Sequence, residues 1–68
     1  MSVYENVVAY CKKNNLSIAA FEKRCGLGNG TVGKWEKYSN LPSLTTLEKM
    51  QKATKVSINK WIKEDAFV

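Results

Sequence analysis

Two helical stripes on either side of one glycine constrain this chain more than any other feature. Ala20, Phe21 and Cys25 fall on one face of a helix expected over Ile18 to Arg24, and Val32 and Trp35 on one face of another, from about Asn29 to Tyr38. Apolar residues recurring every three or four positions mark a helix with one buried side. Between the stripes, Gly26 supplies a positive φ at no steric cost and stops the first helix sharply. Ala20 is small enough for the helices to cross closely, so Phe21, Leu27, Val32 and Trp35 are expected to share one core.

Similar stripes flank this pair. Tyr4, Val7, Val8 and Cys11 predict a helix from about Val3 to Lys13, ended by Asn14-Asn15, because Asn tolerates the left-handed conformation after a helix. Ser17, Ser43 and Ser57 stand where N-caps belong. Leu44, Leu47 and Met50 or Gln51 predict the inner face of a fourth helix, with Lys49, Lys52 and Lys55 in solvent. Ile58, Trp61 and Ile62 predict the inner face of a fifth. Pro42 keeps the third helix from running on into the fourth. The expectation is one all-α domain of five short helices spanning residues 1–68, without repeats or linkers.

Chemistry narrows the function classes. A chain of 68 residues has room for one core and little room for a deep catalytic pocket. It has two cysteines and no histidine. A thiol nucleophile would therefore lack an imidazole base, and zinc would lack its four ligands. Cys11 and Cys25 are read as reduced core residues. No acidic cluster is present beyond Glu64-Asp65, so no enzyme, metal or cofactor is expected. Gly28-Asn-Gly-Thr-Val-Gly33 matches a dinucleotide-binding glycine pattern, but the strand and βαβ unit that give it meaning are missing. Trp35 and Trp61 could stack on bases, but their spacing with Val32 and Ile58 places them in the core. No signal peptide or membrane span is read, so a cytoplasmic location is expected. The net charge of +5 favours a polyanionic partner.

Leu16-Ser17, Phe21, Cys25-Gly26-Leu27, Thr31-Val32, Lys34-Trp35-Glu36, Pro42-Ser43-Leu44, Leu47 and Val56-Ser57-Ile58 together resemble the lambda-repressor-like, Cro/repressor (XRE-type) helix-turn-helix family. The likeness runs from Val3 to Ile62. It implies a five-helix DNA-binding fold, with the helix-turn-helix at about residues 17–38, in a small regulator of the Cro type from a phage or prophage. Positions that read bases in the family are here Asn29, Gly30, Gly33 and Lys34. Positions that contact phosphates are Ser17, Ile18, Gly28, Thr31, Lys37, Tyr38, Ser39 and Asn40. Asn can pair with adenine and Lys with guanine in the major groove.

The chain departs from the family's pattern in three ways. Ile18 stands where a phosphate-touching Gln is common. Cys11 stands where an Arg often pairs with the Glu at Glu36, so Lys12 or another base is expected to serve Glu36. Three glycines, Gly28, Gly30 and Gly33, strip the recognition helix of side chains, either to let its backbone approach DNA or at the expense of base readout. Trp61, Phe67 and Val68 are read as part of a weak homodimer interface. The resulting expectation is a repressor of an operator in duplex DNA, without a membrane or small-molecule substrate. The alternative is a protein-interaction module of the same fold, antirepressor-like or an adaptor.

Overall fold

The structure is a computed structural model and describes residues 3–38 and 41–63. Among these the elements are α1 (Val3–Lys13), α2 (Ile18–Arg24), α3 (Thr31–Tyr38), α4 (Leu44–Thr54) and α5 (Ile58–Ile62), with no strand. Three of the helices start alike. The hydroxyls of Ser17, Ser43 and Ser57 accept the backbone N–H of Ala20, Thr46 and Lys60 at 3.0, 3.2 and 3.3 Å, removing one of the donors that a helix start leaves open.

The helix ends share a second device. Asn15, Gly26 and Lys55 take left-handed φ values of 53°, 71° and 64° after α1, α2 and α4. The Leu16 and Leu27 N–H groups then donate back to the carbonyls of Cys11 and Glu22, both at 2.8 Å, and the Lys55 N–H donates to that of Gln51 at 2.8 Å. In each case the next residue, Leu16, Leu27 or Val56, is apolar and packs against the core, the hydrophobic contact that accompanies such endings. Asn15-Leu16-Ser17 and Lys55-Val56-Ser57 thus solve one problem twice: a left-handed residue ends a helix, an apolar residue anchors the chain, and a serine starts the next helix.

α1 lies at the centre and packs on α2, α3 and α5, while α4 packs on α5. The core comprises Val3, Val7, Cys11, Phe21, Cys25, Val32, Trp35, Leu47, Met50 and Trp61. Tyr10, Phe21 and Trp61 meet edge to face, with ring centroids 5.4 to 5.8 Å apart, the arrangement that aromatic quadrupoles favour. One polar side chain is built into the central helix. Asn6 is buried, and its Nδ2 donates to the carbonyls of Trp61 and, at 2.8 Å, Lys63. It satisfies acceptors that the end of α5 leaves open and fixes α5 on α1. At the start of α5, the side-chain Oε1 of Gln51 accepts the Ile58 N–H at 2.9 Å.

Three residues expected inside are outside. Leu44 is 64% exposed and Ile62 53% exposed, and Ala20 is also exposed. A spacing of three drifts by about 60° per step on a helix of 3.6 residues per turn. With Met50 at the centre of the buried face and Leu47 beside it, Leu44 therefore rotates into solvent, and Gln51 does not enter the core. α5 turns Trp61 fully inward, which leaves Ile62, about 100° further round, outside. In α2, Glu22 rather than Ala20 shares the inner face with Phe21 and Cys25. Both cysteines are free and buried. Burial, followed by the neighbouring Cys11, pushes the Cys25 thiol from 9.0 up to about 11.

Replacing Asn6 with Ala strands two carbonyls and should cost about 1–3 kcal/mol, read as a lower Tm by circular dichroism. Lys55→Gly should raise Tm, because a residue with a Cβ in the left-handed region is strained by about 1 kcal/mol. The Cys25 thiol ionises later in the folded than in the unfolded chain. Its contribution is therefore complete below about pH 9 and lost as pH rises towards about 11. Urea titrations across that window should show a shallower decline in stability for Cys25→Ala.

Candidate nucleic-acid interface

α2 and α3 meet through residues 25–30, and α3 opens differently from the serine-capped helices. Gly30 has a φ of 84°, so the chain cannot be helical before Thr31, and α3 begins two residues later than the sequence pattern suggests. Its first amides are held from the preceding helix. The Glu22 carboxylate reaches across from α2: Oε1 accepts the Gly30 N–H at 3.2 Å and Oε2 the Val32 N–H at 2.8 Å. Glu22 is only 3% exposed. A buried carboxylate is costly unless its oxygens find donors, and here both oxygens do, at the positive end of a helix dipole. Thr31 tightens the same turn, its hydroxyl donating to the Gly28 carbonyl at 2.6 Å and its N–H to the same oxygen at 3.1 Å.

Val32 and Trp35 face the core, at 0% and 6% exposure. Helical geometry then puts Gly33, Lys34 and Lys37 along the opposite side, where all three are exposed, as is Gly30 in the turn before α3. The outward stripe is bare at its N-terminal end and cationic at its C-terminal end. Glu36, the one acid on α3, is served by the Tyr4 hydroxyl of α1 through a hydrogen bond. Burial first, and the Glu36 carboxylate second, push the Tyr4 hydroxyl above its usual 10.0. The acid is thereby turned towards α1, on the flank of α3 away from the two lysines.

The other expected positions divide clearly. Asn29 is exposed in the turn before α3 and borders a groove with Ala19, Glu22, Lys23 and Leu27. Ser17 is exposed at the start of α2, whereas Ile18 packs against the core and offers only its backbone. The Thr31 hydroxyl is engaged by Gly28, so a phosphate would have to displace that bond. Gly28 is exposed, and a Cβ there would meet the Thr31 hydroxyl oxygen at 3.3 Å. Of the three glycines, only Gly33 lies inside α3. Tyr38 ends α3, and its side chain, with Ser39, Asn40, Phe67 and Val68, lies outside the described residues. Trp61 is 0% exposed, which removes its side chain from any surface a partner could touch. The sequence reading missed Glu22. Its signal was an acid placed about 60° from Cys25 on the buried side of α2.

Two short helices joined by a tight turn, the second projecting a polar stripe away from a shared core, form a helix-turn-helix. A helix-turn-helix family model matches residues 8–61. The chain belongs to this family, the XRE-type, lambda-repressor-like DNA-binding regulators. No curated protein and no solved structure matches it significantly. No helix among the described residues is long and apolar enough to cross a membrane.

Glu22→Ala should leave the Gly30 and Val32 amides without their acceptor and cost about 1–3 kcal/mol. Amide hydrogen exchange should localise the loss to the start of α3, with much smaller changes in α4 and α5. Uniform loss across the chain would refute the assignment of Glu22 as the anchor of α3.

Proposed function

We propose that the chain is a sequence-specific repressor that lays α3 in the major groove of an operator and acts by occupying it. The observation carrying this reading is the outward stripe Gly33, Lys34 and Lys37 on α3, set opposite Val32 and Trp35, with the start of the helix held by Glu22 through Gly30 and Val32. Lys34 donates to guanine O6 and N7, and Asn29, at the tip of the turn, reads adenine. Lys37, Ser17 and the backbone N–H groups at the start of α2 meet phosphates, and the family resemblance adds Tyr38, Ser39 and Asn40 as phosphate contacts. Gly33 has open space where a Cβ would stand, which lets the α3 backbone approach the bases. The reading assigns no catalytic step to any residue.

Two copies are proposed to bind as a weak dimer. The domain measures 25 × 25 × 20 Å, narrower than the spacing of about 34 Å between half-sites one turn apart. Two domains therefore fit side by side on one face of the duplex. Phe67 and Val68 follow the exposed Ile62 in the chain and supply the contact. A phage or prophage origin rests on the family resemblance alone.

Selection of bound sequences from a random DNA pool supplies the operator for testing. Lys34→Ala should then lose about 1–3 kcal/mol and relax discrimination at one base pair. Lys37→Ala should weaken all sequences alike and flatten the salt dependence. Gly33→Ala separates folding from binding. It should stabilise the free protein by up to about 1 kcal/mol, since alanine is the better helix former, and still weaken operator binding. Unchanged affinity would refute close approach of the backbone. Gly30→Ala cannot serve, because a φ of 84° strains any side chain there whether or not DNA is bound. Failure to select any sequence would favour the protein-interaction module instead.

A further inference from the structure

Away from the α3 stripe, the fold leaves a second concave surface. α2 and α4 are not closely packed on one another, and between them lies a groove of about 330 Å³ lined by Arg24, Cys25, Gly26, Lys49, Lys52 and Ala53. The lining has two parts. Cys25, 5% exposed, and the half-buried Ala53 form a small apolar floor, and Gly26 adds no side chain. Arg24, Lys49 and Lys52 are exposed around it, and among the described residues no carboxylate lines the groove. Lys49 and Lys52, three apart, share one face of α4. Three cations gathered at one opening repel one another in the free protein, and an anionic occupant would relieve that repulsion.

We propose that this groove docks an acidic segment of a partner protein, with one apolar side chain on the floor and carboxylates on the rim. The floor decides between this ligand and a second stretch of DNA. A phosphodiester backbone brings charge but no side chain to fill a concave apolar pocket, whereas a peptide fills the pocket and meets the cations together. An anchor in a pocket, ringed by polar contacts, is the usual economy of a small protein interface. None of Gly30, Gly33, Lys34 or Lys37 borders the groove, so the partner and the operator engage different surfaces. The inference stands whether or not α3 reads DNA.

The test is an NMR titration of the whole ¹⁵N-labelled chain with three probes. The first is an end-blocked peptide with a leucine flanked on each side by aspartates. The second is the same peptide with serine in place of leucine, and the third a short random-sequence DNA duplex. The leucine peptide should move the amides of Arg24 to Gly26 and Lys49 to Ala53 saturably. The serine peptide should bind about tenfold more weakly, the effect of losing one buried leucine-sized side chain. Lys49→Glu with Lys52→Glu should abolish the response. Lys49→Gln with Lys52→Gln, which adds no new charge, should weaken it if the reversal disturbs folding. No saturable shift, equal binding of the serine peptide, an unaffected response in the charge variants, or DNA moving these amides as strongly as those of α3 would each overturn the proposal.

Discussion

A single carboxylate determines how α3 is presented. The serine hydroxyls at the starts of α2, α4 and α5 sit next to the helices they cap, whereas the acceptor for α3 lies on another helix. By bonding Gly30 and Val32 together, Glu22 fixes the direction in which α3 leaves the turn as well as the place where it begins. Hydrophobic burial has no such direction. Val32 and Trp35 could remain buried through small rotations of α3 that would sweep Lys34 and Lys37 sideways. Two hydrogen bonds to amides two residues apart resist that rotation, and their burial makes the resistance strong, because separating them would leave a buried carboxylate without donors.

Asn6 does for α5 what Glu22 does for α3. It reaches from the central helix to the carbonyls of Trp61 and Lys63, so one clamp holds a helix start and the other a helix end. Between them, the edge-to-face contacts of Tyr10, Phe21 and Trp61 connect α1, α2 and α5 without strong orientation of their own. Non-directional packing supplies most of the stabilisation, and two buried polar side chains select one arrangement from the several that such packing would accept.

Local signals made the helices legible in the sequence. The bounds of α1 and α2, the three serine caps, and the stops at Asn15 and Gly26 all follow from residues within one turn of the feature they control. What escaped involves longer reach. The roles of Glu22 and Asn6 depend on partners 8 to 10 and 55 to 57 positions away, and spacing within one helix cannot reveal these. The late start of α3 follows from the φ of Gly30, whose residue type permits a positive value without demanding one. Leu44 and Ile62 were misplaced because an apolar residue carries no record of where a drifting stripe leaves the core. The outward stripe on α3 was legible because it is the complement of Val32 and Trp35. The Tyr4–Glu36 pair was not, since it joins α1 to the far end of α3.

Gly33 meets no atom within 4 Å of where its Cβ would stand, and Lys34 and Lys37 stand clear of the core. Gly33 and Lys34 therefore behave as an exchangeable cassette. Folding demands of them little beyond helix-forming residues, while Glu22, Val32 and Trp35 carry the architecture from behind. In a chain this small, that separation lets the outer letters drift under one selective pressure and the scaffold under another. New recognition can then arise by rewriting one edge of one helix, with no repacking of the interior.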